Sequence, residues 1–502
     1  MRLGELLGAL SLATDLAVGM PLETSLRTCV LATRLARLVG IAEGNALGEV
    51  RSTTLLRHLG CTAFAHETAR LGGDDHAMAA TYAGIEHSSR AAVAGRTIAR
   101  VGRGESLGRR LAAVARVMTH PGAGAVLIAA HCTQAVALAE DLRLPEGVAV
   151  ALGQIYERHD GRGGPHQLAG DALRPAAQVQ HLAELVEIHH RTQGRDAAVA
   201  EVRRRRGKHL APALADAFLA EHDALWPVLE APSVWDHYLE DEVSGAVIDH
   251  ERVATAFGRF ADLKAPFMLG HSTAVAALVT AACDDAAALP RLRLAALLHD
   301  LGTVSVPNGI WEKPGPLNAM EWERVRLHGY YTQRILAQTP LLADVAAIAG
   351  AHHERLDGSG YHRGATGAML DREARLLAAA DVYQALREAR PQRAALSQAA
   401  AIEVLAGEAR AGRLCARAVD AVLGAAGLPR PERKPPAGLT PREVEVLIQL
   451  ARGSTNKEIA SALGIAVRTA NHHIENIYAK LDVTTRAAAA VFAVRHDLVA
   501  PD

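Results

Sequence analysis

Apolar positions along the chain recur at helical spacing, and the polar residues that interrupt them carry the information. In the stretch AALLHDLGTV, Ala295 to Val304, an apolar run leads into an adjacent His-Asp pair followed by glycine. Four other apolar stretches are interrupted the same way: His271 in LGHSTAVAALV, His328 in ERVRLHGYYTQRIL, His352-His353 in IAGAHHERLDGSG and Asp381 in LLAAADVYQAL. Towards the C-terminus Val444, Leu447, Ile448 and Ala451 repeat at helical spacing. Thr440, Pro441 and Glu443 precede them as N-cap, first-turn proline and capping-box acid. Gly453 ends that helix. NKEIASALGI and AVRTANHHIENIYAKL predict two more helices joined by a turn at Gly464, the geometry of a helix-turn-helix whose second helix enters a major groove.

The pattern also divides the chain. LPRPERKPPAG, Leu428 to Gly438, has four prolines, clustered charges and no apolar periodicity, and predicts an extended spacer. Before it lies an internal repeat at an offset of 197 residues, which matches Glu157 to Glu354, Asp160 to Asp357, Gly163 to Gly360, Glu184 to Asp381 and His131 to His328. Upstream, TTLLRHLGCTA resembles AALLHDLGTVS and sets His58 opposite His299, with about 44 extra, helical-looking residues in the first copy. The copies are unequal. Leu59 stands where the second copy has Asp300, and Ile155-Tyr156 stand where it has His352-His353. The expected organisation is a helical domain over 1–230, a second over 231–427, the linker 428–438 and a C-terminal module over 439–502.

Composition sharpens this picture. The chain has 502 residues, 49% of them hydrophobic but only 4% aromatic. An apolar set dominated by alanine and leucine predicts an all-α protein. The net charge of −1 confines any nucleic-acid contact to a local patch. Cys29, Cys61, Cys132, Cys283 and Cys415 are scattered and read as reduced core residues of a cytoplasmic protein. The N-terminus makes a poor signal peptide, and no uninterrupted apolar run of about 18 residues predicts a membrane span.

Taken alone, His299-Asp300 reads more naturally as a core histidine beside a surface carboxylate. Five histidines and two aspartates on five helical stretches read differently, because imidazole and carboxylate suit Fe, Mn, Zn or Ni. Seven ligands exceed one tetrahedral site, so two divalent metals are the natural occupants. A metal pair can clamp both oxygens of an in-line displacement at phosphorus.

Residues 267–393 resemble the HD-GYP phosphohydrolases of the HD superfamily, on the strength of His271, His299-Asp300, His328, HHERLDGSGYH from His352, and Asp381. The resemblance implies a helical domain with a two- or three-metal centre that hydrolyses cyclic di-GMP. It implies that Asp300 bridges the metals, with His271, His299 and Asp381 completing one site and His328, His352 and His353 the other. Asp300 and His299 become the catalytic candidates, and Tyr361, Arg390 and Arg393 the substrate contacts. Three-metal members carry a glutamate where this chain has Phe267, so two metals at most are expected. Thr303 replaces a lysine, His362 the proline of Gly-Tyr-Pro, and Gln384 an aspartate. The first copy resembles a degenerate HD-GYP domain that retains His58, His131 and Glu184 and serves in pairing or sensing. RRRRGK, Arg203 to Lys208, reads as a solvated helix end.

Residues 439–498 resemble the LuxR-type DNA-binding domain, which implies contacts to double-stranded DNA from Asn456, Lys457, Arg468, Thr469, Asn471, His473 and Lys480. Asn471 takes the place of a lysine and Ala470 that of a valine. With nearly balanced charge, the module predicts modest affinity and binding as a homodimer through the helix Thr485 to His496. Two functional readings follow. One is a cytoplasmic transcription regulator with a working cyclic-dinucleotide phosphodiesterase domain and no membrane partner. The other is a regulator whose HD-GYP domain senses a nucleotide or metal with little turnover.

Overall fold

The computed structural model describes residues 3–41, 43–85, 90–103, 106–120, 122–240, 249–430, 436–495 and 498–499. Within the linker, 431–435 lie outside them, as does His496, the last residue of the pairing helix expected from the sequence. The described residues form α-helices and short 3-10 turns with four isolated backbone bridges and no strand, so the protein is all-α.

Equivalent elements recur in the two halves. Ala123–Asp141 and Ala319–Leu336 carry His131 and His328; Glu146–Leu152 and Ala343–Gly350 follow them; Pro175–Gln193 and Arg372–Arg387 carry Glu184 and Asp381. The loops between repeat in detail. Bridges join Asp160 to Ala169 and Asp357 to Thr366. The Glu157 carboxylate accepts the N–H groups of His166 and Leu168, while the Glu354 carboxylate accepts those of Arg363 and Ala365. Both glutamates are buried, and a buried carboxylate is tolerable only when donors surround it. The extra residues of the first half form Ala65–Gly72, Asp75–Tyr82, Arg90–Arg100 and Leu107–Thr119.

One apolar core runs through both halves, from Leu6, Leu10, Leu26 and Leu55 to Phe257, Leu292, Leu298 and Leu377. Helix Leu3–Ala17 packs on the turn Leu301–Ser305 and on Ala319–Leu336. It is buried on nearly every side, which explains why its sequence LGELLGALSLATDLA is apolar all round. A second core around Leu31, Val186, Phe218 and Trp226 belongs to the first half alone. The C-terminal helices Pro441–Ala451, Asn456–Leu463, Val467–Leu481 and Arg486–Arg495 enclose a third, around Val446, Leu447, Ile459 and Ile477.

Two sequence expectations meet qualifications here, and a third is met. The 19-residue helix Ala123–Asp141 is long and apolar enough, by length and composition, to cross a membrane. Its polar residues before Glu140 are uncharged, so it passes without an unbroken apolar run. It also carries the buried pair His131 and Cys132. The arginine run closes helix Arg195–Arg205 and is ion-paired: Arg204 and Arg205 with Glu201, and Arg206 with Asp216. At the C-terminus, the capping box at Thr440 and Glu443 forms, and a second one unites Thr455 with Glu458.

Candidate metal centre and DNA-binding face

His299 and Asp300 follow helix Leu289–Leu298, where the chain tightens into the turn Leu301–Ser305. Gly302 makes the next step possible: a Cβ there would fall on the carbonyl oxygen of His328. The same contact lets Thr332 clamp the turn, donating its hydroxyl to the His299 carbonyl at 2.9 Å and accepting the Gly302 N–H at 2.9 Å. His328 is thereby pressed towards Asp300. His271 opens its own helix after Gly270, whose φ of 81° is a left-handed value that favours glycine.

The seven side chains read from the sequence converge. Asp300, His328, His352 and His353 form one group, and His271, His299 and Asp300 another, each with its ligand atoms within 4.8 Å of one another. Asp300 belongs to both. Its Oδ1 lies 3.4 Å from His352 Nε2 and 3.6 Å from His328 Nε2, and its Oδ2 lies 3.6 Å from His299 Nε2 and 3.8 Å from His271 Nε2. Asp381 stands between the groups: Oδ1 is 3.2 Å from His271 Nε2 and Oδ2 is 3.6 Å from His353 Nδ1.

The hydrogen bonds outside the cluster fix what faces inward. His299, His328 and His352 each donate Nδ1–H to the carbonyl three residues back, on Ala296, Val325 and Ala349. A carbonyl only accepts, so each ring turns its Nε2 lone pair to the centre. His328 Nε2 and His352 Nε2 then stand 3.1 Å apart. His271 Nε2 and His299 Nε2 are buried without a hydrogen bond. Lone pairs meeting lone pairs and carboxylates, with their donors spent elsewhere, form a hole for cations, so the donor set fits divalent metal.

The electrostatics agree for His328, His299 and His353. Burial pushes His328 down to about 4 and takes His299 and His353 below the ordinary imidazole value. Burial would also lower His271 and His352, but Asp381 and Glu388 hold His271 up at about 10, and Asp300 raises His352, so the carboxylates here hold protons that a bound cation would displace. Burial would raise Asp300, yet His299 and its neighbours hold it well below the usual carboxylate range, so it stays ionised.

Glu388 escaped the sequence reading, because it sits in no motif. Both its oxygens lie 3.0 Å from His271 Nδ1, which leaves His271 Nε2 directed inward. The same carboxylate accepts from Gln384 Nε2 at 2.9 Å and from Arg390 Nη2 at 3.0 Å. The Arg390 guanidinium lies over the Phe267 ring, 4.9 Å from its centroid.

The remaining candidates are placed less uniformly. Tyr361 packs against His353 at 4.7 Å between ring centroids. The Arg393 guanidinium is spent on the carbonyls of Ala385, Leu386, Glu388 and Ala394, at the end of helix Arg372–Arg387. Thr303 is buried and donates to the Asp300 carbonyl at 2.6 Å, so it packs rather than facing outward.

A Cβ at Gly60 would fall on the His131 carbonyl as one at Gly302 would on that of His328, so the two glycines are counterparts, and Arg57 and His58, rather than His58 and Leu59, stand where the second half has His299 and Asp300. The retained residues of the first half do not gather in the same way. His131 spends Nε2 on the carbonyl of Arg57 at 2.9 Å, and Glu184 is ion-paired with the Arg57 guanidinium. Cys61 Sγ lies 3.4 Å from His131 Nδ1 and 3.7 Å from His58 Nδ1. Burial raises that thiol to about 12, so it remains protonated.

In the C-terminal module, helix Val467–Leu481 presents Arg468, Thr469 and Asn471 exposed, with His473 half-buried. Lys457 is exposed at the start of Asn456–Leu463, and Asn456 Nδ2 donates to Asn471 Oδ1 at 2.8 Å. Lys480 is engaged, donating to the buried Glu443 carboxylate at 2.6 Å.

The comparisons with known proteins fall on these same regions. Residues 256–414 match the HD domain, and residues 437–493 match the bacterial regulatory proteins of the luxR family. The chain is 30% identical over 408 residues to the 3'3'-cGAMP-specific phosphodiesterase 3 of Vibrio cholerae, covering 78% of this chain and 88% of that one. It is 40% identical over 135 residues to the cyclic di-GMP phosphodiesterase response regulator RpfG of Xanthomonas campestris, covering 26% of this chain and 35% of that one. The crystal structure of a cyclic GMP-AMP specific phosphodiesterase of V. cholerae, V-cGAP3, superposes with a TM-score of 0.58 at 25% identity, over 86% of this chain and 98% of that one.

Proposed function

This chain belongs to the HD-GYP family of metal-dependent phosphodiester hydrolases and carries a LuxR-type DNA-binding module, and from that premise we propose that it is a transcription regulator that hydrolyses a cyclic dinucleotide. The substrates to try first are 3'3'-cyclic GMP-AMP and cyclic di-GMP, on which its relatives are named as acting. The observation that carries the reading is a single carboxylate, Asp300, shared by two groups of inward-turned ligands.

Two divalent ions of the Fe, Mn or Zn class would supply a water of lowered pKa and offset charge growing on the phosphoryl oxygens. In this reading Asp300 would be common to both ions, with His271, His299 and Asp381 the residues that would hold one and His328, His352 and His353 those that would hold the other. The backbone carbonyls fix the tautomers of His299, His328 and His352, and Glu388 orients His271, which would give up the proton that Asp381 and Glu388 hold on it when an ion binds. Arg390, spread over Phe267, supplies the cation for a substrate phosphate, while Tyr361 walls the centre beside His353.

Residues 1–230, in this reading, are a degenerate copy that serves as a packing partner for 231–427. Residues 439–502 bind double-stranded DNA through Val467–Leu481, with Arg468, Thr469, Asn471 and Lys457 as its exposed polar contacts. Lys480 supports the fold through Glu443. Ala487, Val491 and Val494 stay exposed at i, i+4 and i+7 on the last helix, which favours a homodimer paired there. A cytoplasmic location follows from the need to reach DNA.

A second reading, a sensor with little turnover, draws on Thr303 and Arg393, which leave Arg390 as the one motif cation turned to neither a backbone carbonyl nor the core. The deciding experiment loads the full chain with Fe, Mn or Zn and follows both cyclic dinucleotides. Metal-dependent cleavage that Asp300→Asn abolishes supports the enzyme. Tight nucleotide binding with no cleavage under any metal supports the sensor.

A further inference from the structure

The later helices of the first-half insert, with the helix that follows them, carry unusual chemistry. Residues 90–139 contain seven arginines and one acidic residue, Glu105, in a chain whose net charge is −1. Helix Leu107–Thr119 turns Ala113 inward, with Val114 and Val117, onto Met78 and Val101. A second apolar stripe stays outside. Leu107 is 73% exposed, Leu111 60% and Met118 46%, at i, i+4 and i+11 on one face. Ile98 on Arg90–Arg100 is 58% exposed, and Val126 near the start of Ala123–Asp141 is 67% exposed. That last helix has membrane-like composition, and only 28% of its apolar window is buried. In the same segment Arg100, Arg103, Arg109 and Arg116 are exposed, Arg109 and Arg116 on the side of their helix away from the apolar stripe.

Exposed apolar side chains of this size on adjoining helices mark a docking surface rather than the scatter of an ordinary exterior. Charge selects the occupant. A second copy of the surface would set arginine against arginine. Nucleic acid would satisfy the arginines but leave Leu107, Leu111 and Val126 in water. Anionic headgroups above acyl chains satisfy both, as for helices that lie in a membrane interface with arginines snorkelling outward. We propose that the insert of the first half, the helices Arg90–Arg100 and Leu107–Thr119 with the first turns of Ala123–Asp141, docks on an anionic lipid bilayer. The helices lie along the headgroups and do not span. This surface contact departs from the sequence expectation of no membrane partner, although no segment spans, and it is independent of the hydrolytic reading.

The test is flotation of the full chain with vesicles of phosphatidylcholine, alone or with about a third phosphatidylglycerol. Binding is expected only with phosphatidylglycerol and weakens as salt is raised. Arg100→Glu/Arg103→Glu should lower it at least about tenfold, since each arginine near an anionic surface adds several-fold. Leu107→Glu/Leu111→Glu should lower it comparably. Circular dichroism checks that each variant is folded, and because Arg100 and Arg103 are exposed the arginine pair tests the proposal even where the leucine pair fails to fold. Equal binding to both vesicles, no binding at low salt, or retention by folded arginine variants overturns the proposal. So does a lipid-free dimer that Leu107→Glu/Leu111→Glu converts to monomer, which would assign the surface to a second copy.

Discussion

Around Asp300 the chain gathers imidazole lone pairs and leaves room for cations. At the matching place in the first half it has installed a cation of its own. His131 and His328 occupy equivalent helical positions but use opposite ring nitrogens: His328 donates through Nδ1 to Val325, and His131 through Nε2 to Arg57. Where the ligand candidate His299 stands in the second half, Arg57 reaches Glu184, the counterpart of Asp381. Gln180 Nε2 holds the other Glu184 oxygen at 2.9 Å. Burial lowers Arg57 to about 10, so it is charged at neutral pH. A guanidinium fixed to a carboxylate neutralises the acid that a metal neutralises elsewhere. The scaffold can therefore outlive its metal, provided that each inward charge finds a new partner.

The largest effects should come from exchanging features between the centres. Asp300→Asn removes the carboxylate common to both ligand groups. Metal content by elemental analysis should fall from two ions towards none, and turnover should fall by about a thousandfold or more. The converse change, His58→Asp, should bring no metal to the first half, because Arg57 already fills the role. Metal gained there would break the comparison. Arg57→Leu should destabilise the protein by about 3–5 kcal/mol in urea denaturation, since it strands the Glu184 charge. Arg57→Leu/Glu184→Leu should recover most of that loss. If the two single changes simply add, the pair is not the lock described.

A smaller effect is expected at Glu388. Removing the partner of a ligating histidine typically costs about 10- to 100-fold in metal affinity. Glu388→Ala should show that loss in a competition titration with a chelator, with a smaller loss for Glu388→Gln, whose side-chain oxygen still accepts a hydrogen bond. Equal affinity in all three proteins would reduce Glu388 to a surface support for Arg390.

Glu388 also marks where sequence reading stops. The seven converging side chains were legible because each interrupts an apolar helix at a position that local pattern exposes. The capping box at Thr440 was legible for the same reason: its partners are three residues apart. Arg57 and Glu184 are 127 residues apart and sit on helices whose packing no local pattern states. Arg393 occupies its motif position, but its neighbours' carbonyls take its donors. Lys480 likewise reads as a DNA contact until the fold brings Glu443 to it from 37 residues away. Identity at a position was visible in the sequence, whereas the partner that commits a side chain to one role was set by tertiary packing.

The smallest expected effect separates the halves by pH. Burial pushes His131 down to about 4 from an ordinary 6.5, partly offset by its bond to the Arg57 carbonyl. The folded state keeps this ring neutral while the unfolded chain takes up a proton, so the contribution to stability is whole above pH 6.5. It is lost as pH falls from there towards 4. At pH 5 the loss from this one group is about 2 kcal/mol. Asp15, raised to about 8 by burial, acts in the opposite sense, since its contribution is present at low pH and lost as pH rises through 8. A raw pH profile therefore mixes the two, and a difference measurement is needed. His131→Gln keeps a donor for the Arg57 carbonyl but cannot titrate. Compared with the wild type in urea denaturation at pH 7.5 and pH 5, it should be the less acid-sensitive protein by about 2 kcal/mol, whatever its stability at pH 7.5. Parallel pH dependence in the two proteins would mean that His131 is solvated or already charged in the folded state, and the inverted tautomer that distinguishes it from His328 would have to be given up.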